Sequence, residues 1–177
     1  LAFSQPFTSK IDALRTTKET VSYLDNSFSM QAKGNQGELL KRAVQDIISH
    51  VPEDENISLI TNNTTYKNTT IKAIKNDLLQ LEYSSNPLTP EAALLKSNTF
   101  FSKEKNSLKN LVFISDFQEN GKSLSFKTDS LTNLYLIKLQ PVNTNNVFID
   151  SAYISNTSPT NIELTVQLKQ NGNGVEN

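Results

Sequence analysis

"LVFIS", residues 111–115, is the most strongly strand-forming run in the chain, and Asp116 closes it. A strand with one wet face alternates apolar and polar side chains. An unbroken apolar run is instead the pattern of a strand covered on both faces, as in a parallel sheet between helical layers. The segments on either side should therefore alternate between strands and the helices that cover them.

Upstream, "VSYLDNSFSM" (21–30) holds a first strand with Val21, Tyr23 and Leu24, which stops abruptly at Asp25, Ser27 and Ser29, spaced two apart. After a loop containing Gly34 and Gly37, "ELLKRAVQDIISHV" (38–51) sets Leu40, Ala43, Val44, Ile47, Ile48 and Val51 at helical spacing. The spacing predicts a helix with one buried face, stopped by Pro52. "NISLIT" (56–61) reads as a short strand, and "NNTTYKNTT" (62–70) supplies the turn chemistry of a hairpin with a brief return strand. A second helix carries Ile71, Ile74, Leu78 and Leu81 on one stripe. Beyond "YSSNPLTP" a third begins near Pro90, a residue suited to the first helical position, with Thr89 as its N-cap.

Downstream, "LYLIKL" (134–139) is a further strand, preceded by a Ser- and Thr-rich stretch too short and too polar to specify a helix. Strands alternating with helices imply a doubly wound α/β fold, a mostly parallel central sheet flanked by helices with right-handed crossovers. After Pro141 the grammar changes. "NVFIDSAYI" and "NIELTVQLK" are alternating strands joined by "SNTSPT" with no helix between them. The expected division is a lead at 1–19, an α/β domain at 20–141, and a β segment at 142–177. That segment either opens a β-sandwich or adds strands to the first domain.

Composition narrows the function classes. With 17 basic and 18 acidic residues among 177, the formal charge is −1 and no run of like charge forms a polyanion-binding tail, which argues against nucleic acid. Cysteine is absent, which excludes disulfides, thiolate catalysis and Cys-ligated metals while leaving the compartment open. The mean hydropathy is −0.42, and no apolar stretch approaches the ~18–20 residues of a membrane span. The opening "LAFSQPF" is open to reading as a loose terminus, part of a strand, or the last turn of a membrane helix.

In open α/β sheets ligands sit beyond the carboxyl ends of the strands. Three segments bring oxygens there: Asp25, Ser27 and Ser29 after the first strand, Thr89 before the third helix, and Asp116 after the 111–115 strand. Two carboxylates and three hydroxyls, with no His or Cys near in sequence, form a hard-oxygen set that suits Mg²⁺, or else Mn²⁺ or Ca²⁺, over zinc or copper. Plain helix capping competes for the same residue types, and at Thr89 capping and coordination can coexist. A carboxylate closing so apolar a strand is costly to bury without a partner, and a cation would be one. His50, near a helix C-terminus, fits a surface role beside the helix dipole better than a catalytic one. The Asn-x-Ser/Thr triplets at Asn56, Asn62, Asn63, Asn68 and Asn156 follow from composition, and no glycans are assigned to them.

"DNSFS" (25–29) matches the Asp-x-Ser-x-Ser pattern of the von Willebrand factor A domain, and the Thr89 loop and Asp116 follow in that family's order. Over about residues 20–140 the chain resembles this Rossmann-like family. The resemblance implies a metal-ion-dependent adhesion site in which Asp25, Ser27, Ser29, Thr89 and Asp116 hold a divalent ion, directly or through water. The loop "NPLTP" lacks the glycine that often precedes the family's threonine, a departure that bears on Thr89. More narrowly, "LAFSQPF", "YLDNSFSM", "ISDFQ" and "NVFIDS" are similar to membrane-anchored Bat aerotolerance-type proteins, common in Bacteroidetes. That likeness implies an inner-membrane anchor in or before the lead and a domain facing the periplasm.

The expected function is a metal-dependent binding module rather than an enzyme. Its partner would be a protein that presents Asp or Glu, within a membrane-associated complex, with specificity from loops 31–37, 84–88 and 117–123. One rival is a scaffolding domain with a degenerate metal site. Another is a haloacid-dehalogenase-type phosphotransferase using Asp25, but such enzymes usually need a second aspartate two residues on, where this chain has Ser27.

Overall fold

The structure is a computed structural model that describes residues 17–104, 107–118, 132–142, 146–158 and 161–171. The chain divides into two compact units, Leu1–Pro141 and Val142–Asn177.

In the first unit the described elements run in the order β1 (Lys18–Leu24), β2 (Lys33–Gly34), β3 (Gly37–Glu38), α1 (Leu39–His50), β4 (Ile57–Ile60) and β5 (Thr65–Thr69). They continue with α2 (Ile71–Leu79), α3 (Pro90–Asn98), β6 (Leu108–Ser115) and β7 (Thr132–Lys138). Five strands form one sheet in the order β5-β4-β1-β6-β7. Pairings β1–β4, β1–β6 and β6–β7 are parallel, and only the β4–β5 hairpin is antiparallel. The fold is thus the expected mostly parallel α/β architecture.

Both faces of the sheet are covered, which accounts for the unbroken apolar run of β6. On one face Val112 and Ile114 join Leu24, Ile57 and Leu59 beneath the apolar stripes of α1 (Leu40, Ala43, Val44, Ile47) and α2 (Ile71, Ile74, Leu78). On the other, Leu111 and Phe113 join Val21, Tyr23 and Ile60 against Ala93 and Leu94 of α3. Successive strand residues point to opposite faces, so each layer of helices claims every second side chain.

The elements start and stop where the local chemistry dictates. α1 ends at His50, with Val51 already extended ahead of Pro52. His50 is exposed there, its Nδ1 2.9 Å from the Asp46 carbonyl oxygen. α2 starts behind Thr70, whose hydroxyl accepts from the Ala73 N–H, and ends at Leu79, so Leu81 packs on the core from outside the helix. α3 starts with Pro90 in its first turn and Thr89 as N-cap, the Thr89 Oγ1 accepting from Ala92 N at 3.2 Å. β1 begins at Lys18, two residues inside the stretch assigned to the lead, because its parallel pairing with β6 runs from Lys18–Leu108 to Leu24–Ile114. The Ser- and Thr-rich stretch before β7 lies outside the described residues.

The second unit is an antiparallel pair, β8 (Asn146–Thr157) and β9 (Ile162–Asn171). Two register shifts, between Ile149 and Ser151 and between Ile154 and Asn156, bring Ile149, Ala152 and Ile154 opposite Leu168, Val166 and Leu164. Directly opposed residues share a face, so these six form one apolar surface, while the pairs Ser151–Gln167, Tyr153–Thr165 and Asn156–Glu163 form a polar one. The apolar surface is open: Ile149, Ile154, Leu164 and Leu168 are 61–65 % exposed.

Candidate metal centre

The chain leaves β1 through α1 to reach β4 on one side, whereas β6 flanks β1 on the other. The carboxyl ends of β1 and β6 therefore border the point where strand order reverses, the usual ligand crevice of such sheets. Asp25 follows the last residue of β1 and Asp116 follows the last residue of β6.

Asp25 is locked in place. Its N–H donates to the Ile114 carbonyl at 2.9 Å, which continues the β1–β6 ladder by one residue. Its Oδ1 accepts from Ser27 N at 2.8 Å and from Asn62 Nδ2 at 3.0 Å, and its Oδ2 accepts from Ser115 Oγ at 2.7 Å. A carboxylate offers about four acceptor sites, so among the described residues these three donors leave one site on Oδ2. After Asp25 the chain turns into a single 3-10 turn, Phe28–Gln31, and the Ser27 and Ser29 hydroxyls lie 3.0 Å apart.

Asp116 is 8 % exposed. Burial pushes its pKa up; the Ser29 hydroxyl works against that shift, and the nearby Asp25 charge adds to it. Ser115 Oγ, which donates to Asp25, stands 3.5 Å from Asp116 Oδ1 and accepts from Phe117 N at 3.0 Å. Phe117 takes a left-handed backbone, φ +44°.

All five residues singled out from the sequence line one cleft of about 420 Å³, Thr89 included, with Tyr23, Leu88, Phe113 and Phe117 among its apolar walls. Among the described residues neither Asp25 nor Asp116 has a Lys or Arg partner. Nor do those residues contain a cluster of three or more His, Cys, Asp or Glu side chains. A metal held here would depend on two carboxylates and on hydroxyls. The residues fit such an ion: the donors are hard oxygens, and two buried carboxyl groups face one cleft without a counter-charge among the described residues.

Sequence reasoning missed three members of the arrangement. Ser115 was read as the end of a strand, yet its hydroxyl lies within 3.5 Å of both carboxylates. Asn62 opens the predicted turn and Asn26 is not singled out by the sequence, yet they are 9 % and 0 % exposed and hydrogen-bonded to the neighbouring loops. The signal for Asn62 was present, since it follows the carboxyl end of a strand just as Asp25 and Asp116 do.

The fold and cleft define a class: an α/β domain whose polar side chains gather at the switch point of a mostly parallel sheet. No protein-family model and no curated protein matches the chain. Among solved structures it is similar to an aerotolerance-related membrane protein from Bacteroides fragilis NCTC 9343 carrying multiple mutations to serines. The TM-score is 0.52 at 13% identity, over 85% of this chain and 81% of that one. It is also similar to the conserved hypothetical protein BatB from Bacteroides thetaiotaomicron, with a TM-score of 0.46 and 20% identity over 58% of this chain. The match spans 54% of that BatB chain, a little over half its length. At 13% identity the first likeness speaks for the shared fold. Among the described residues no helix is long and apolar enough to cross a membrane.

Proposed function

We propose that the chain is a divalent-cation-dependent protein-binding module of von Willebrand factor A type, with Asp25, Ser27, Ser29, Thr89 and Asp116 holding Mg²⁺ or a similar ion. The observation that carries this reading is the pair of buried carboxylates at the switch point, lining one cleft with three hydroxyls and facing no cationic side chain among the described residues. When bound, an ion of this kind keeps exchangeable water positions, one of which an Asp or Glu of a partner protein can take. The chain's own residues prepare the site. Ser27 N–H, Asn62 and Ser115 orient Asp25, and the Ser27 and Ser29 hydroxyls already lie against each other, so few side chains need reordering when the site is filled.

The likeness to a protein described as an aerotolerance-related membrane protein supports placing the module in a membrane-associated complex. On that reading a membrane anchor precedes the domain and the cleft faces the periplasm. The open apolar face of the β8–β9 pair supports reading the second unit as one half of a β-sandwich.

The test is calorimetric titration with Mg²⁺ and Mn²⁺, followed by affinity capture from membranes of the source organism with and without EDTA. The wild-type protein should take up one ion and retain partners only without chelator, and Asp25→Ala should lose both properties while its far-UV spectrum is unchanged. Capture of the same proteins in every lane would overturn the metal-bridge mechanism.

A further inference from the structure

The geometry points to Asn62 as the positioning residue of the centre, a side chain that ties the Thr89 loop to Asp25 and so makes ion affinity depend on both at once. The inference rests on the metal reading above. Asn62 lies two residues beyond β4 and is 9 % exposed. Its Oδ1 accepts from Tyr23 Oη at 2.6 Å and from Leu88 N at 2.8 Å, and its Nδ2 donates to Asp25 Oδ1 at 3.0 Å.

Chemistry fixes which way this amide faces. The Leu88 N–H can only donate, so the amide oxygen must meet Leu88 and the NH₂ is left to face Asp25. Tyr23 agrees with that assignment, its hydroxyl donating to the same amide oxygen at 2.6 Å. One side chain thus joins the end of β1, the end of β4, and the backbone one residue before Thr89.

The loop is fastened at its start as well. Asn26 Nδ2 donates to the Glu82 carbonyl at 2.7 Å, Ser84 N donates to the Asn26 carbonyl at 2.7 Å, and the Asn62 N–H donates to Asn26 Oδ1 at 3.0 Å. Between these two fastenings lies the segment 84–88, so a displacement of Thr89 is carried through Leu88 and Asn62 to Asp25. The same geometry accounts for one of the Asn-x-Thr triplets. The Asn62 amide nitrogen faces a buried carboxylate and is engaged in holding it.

The test uses the full chain and Mn²⁺ alone, read by titration and by the paramagnetic resonance spectrum of the bound ion, well below each variant's melting temperature. Asn62→Ala should weaken Mn²⁺ binding at least tenfold and alter the spectrum of whatever ion remains bound. Tyr23→Phe, which removes one donor to Asn62 and little volume, should weaken it about threefold. A folded Asn62→Ala protein with wild-type affinity and spectrum would overturn the inference while leaving the metal reading intact. Failure of the wild-type protein to bind Mn²⁺ would overturn the metal reading and this inference with it. Should Asn62→Ala not fold, Tyr23→Phe decides, with unchanged affinity counting against the inference.

Discussion

Asp116 is held where a carboxylate is least comfortable, after the most apolar strand and near a second carboxylate. Because its folded pKa is raised, its contribution to stability is fully present below the ordinary value of 3.8 and is lost as pH rises through the folded value. At neutral pH the metal-free protein therefore carries a penalty that an amide at this position would not. Asp116→Asn should raise the melting temperature of EDTA-treated protein at pH 7, with the gain fading towards about pH 4, and should abolish Mg²⁺ uptake. Thermal melts at the two pH values, with and without ion, check both halves. Asp25, Ser27, Ser29, Thr89 and Asp116 were legible as a set because all follow strand ends or precede a helix. Ser115 was not, because a serine inside a strand has an ordinary local explanation, and at Asn62 the strand-end signal is masked by an Asn- and Thr-rich turn that explains an asparagine by itself.

Among the elements, β6 carries the most packing. Phe113 is 1 % exposed and meets Tyr23 at 5.2 Å between ring centroids, at 45°. Phe113→Ala should cost about 3–5 kcal/mol, measured as a lowered urea midpoint with an unchanged slope. The strand was legible because two helical layers need apolar side chains in every position. α1 and α2 were legible because a single stripe repeats at helical spacing. The β2–β3 pair was not, since two residues cannot express a period of two, and the turn rests on the backbone of Gly37 at φ +103°.

For the molecule as a whole, the two units differ in what they bury. The first encloses a core on each face of its sheet, whereas the described residues of the second form a two-stranded pair whose apolar face is open, an arrangement marginal on its own in water. A chain ending at Pro141 should keep a cooperative thermal transition, while residues 142–177 alone should show none. The shortened chain should also bind less of a hydrophobic fluorescent dye than the full chain, since it lacks the surface that includes Ile149, Ile154, Leu164 and Leu168.

The sequence by itself determined the layer architecture, the helix start at Thr89, and the oxygen-bearing residues at the strand ends. Each of these follows from periodicity or from backbone chemistry within a few residues. Only the tertiary structure decided that β6 lies beside β1, so that residues 25 and 116 border one cleft. It also decided that an asparagine after β4 reaches both Asp25 and the loop before α3. Strand order and side-chain hydrogen bonds between distant segments depend on which surfaces meet when the chain closes, and no local pattern records that.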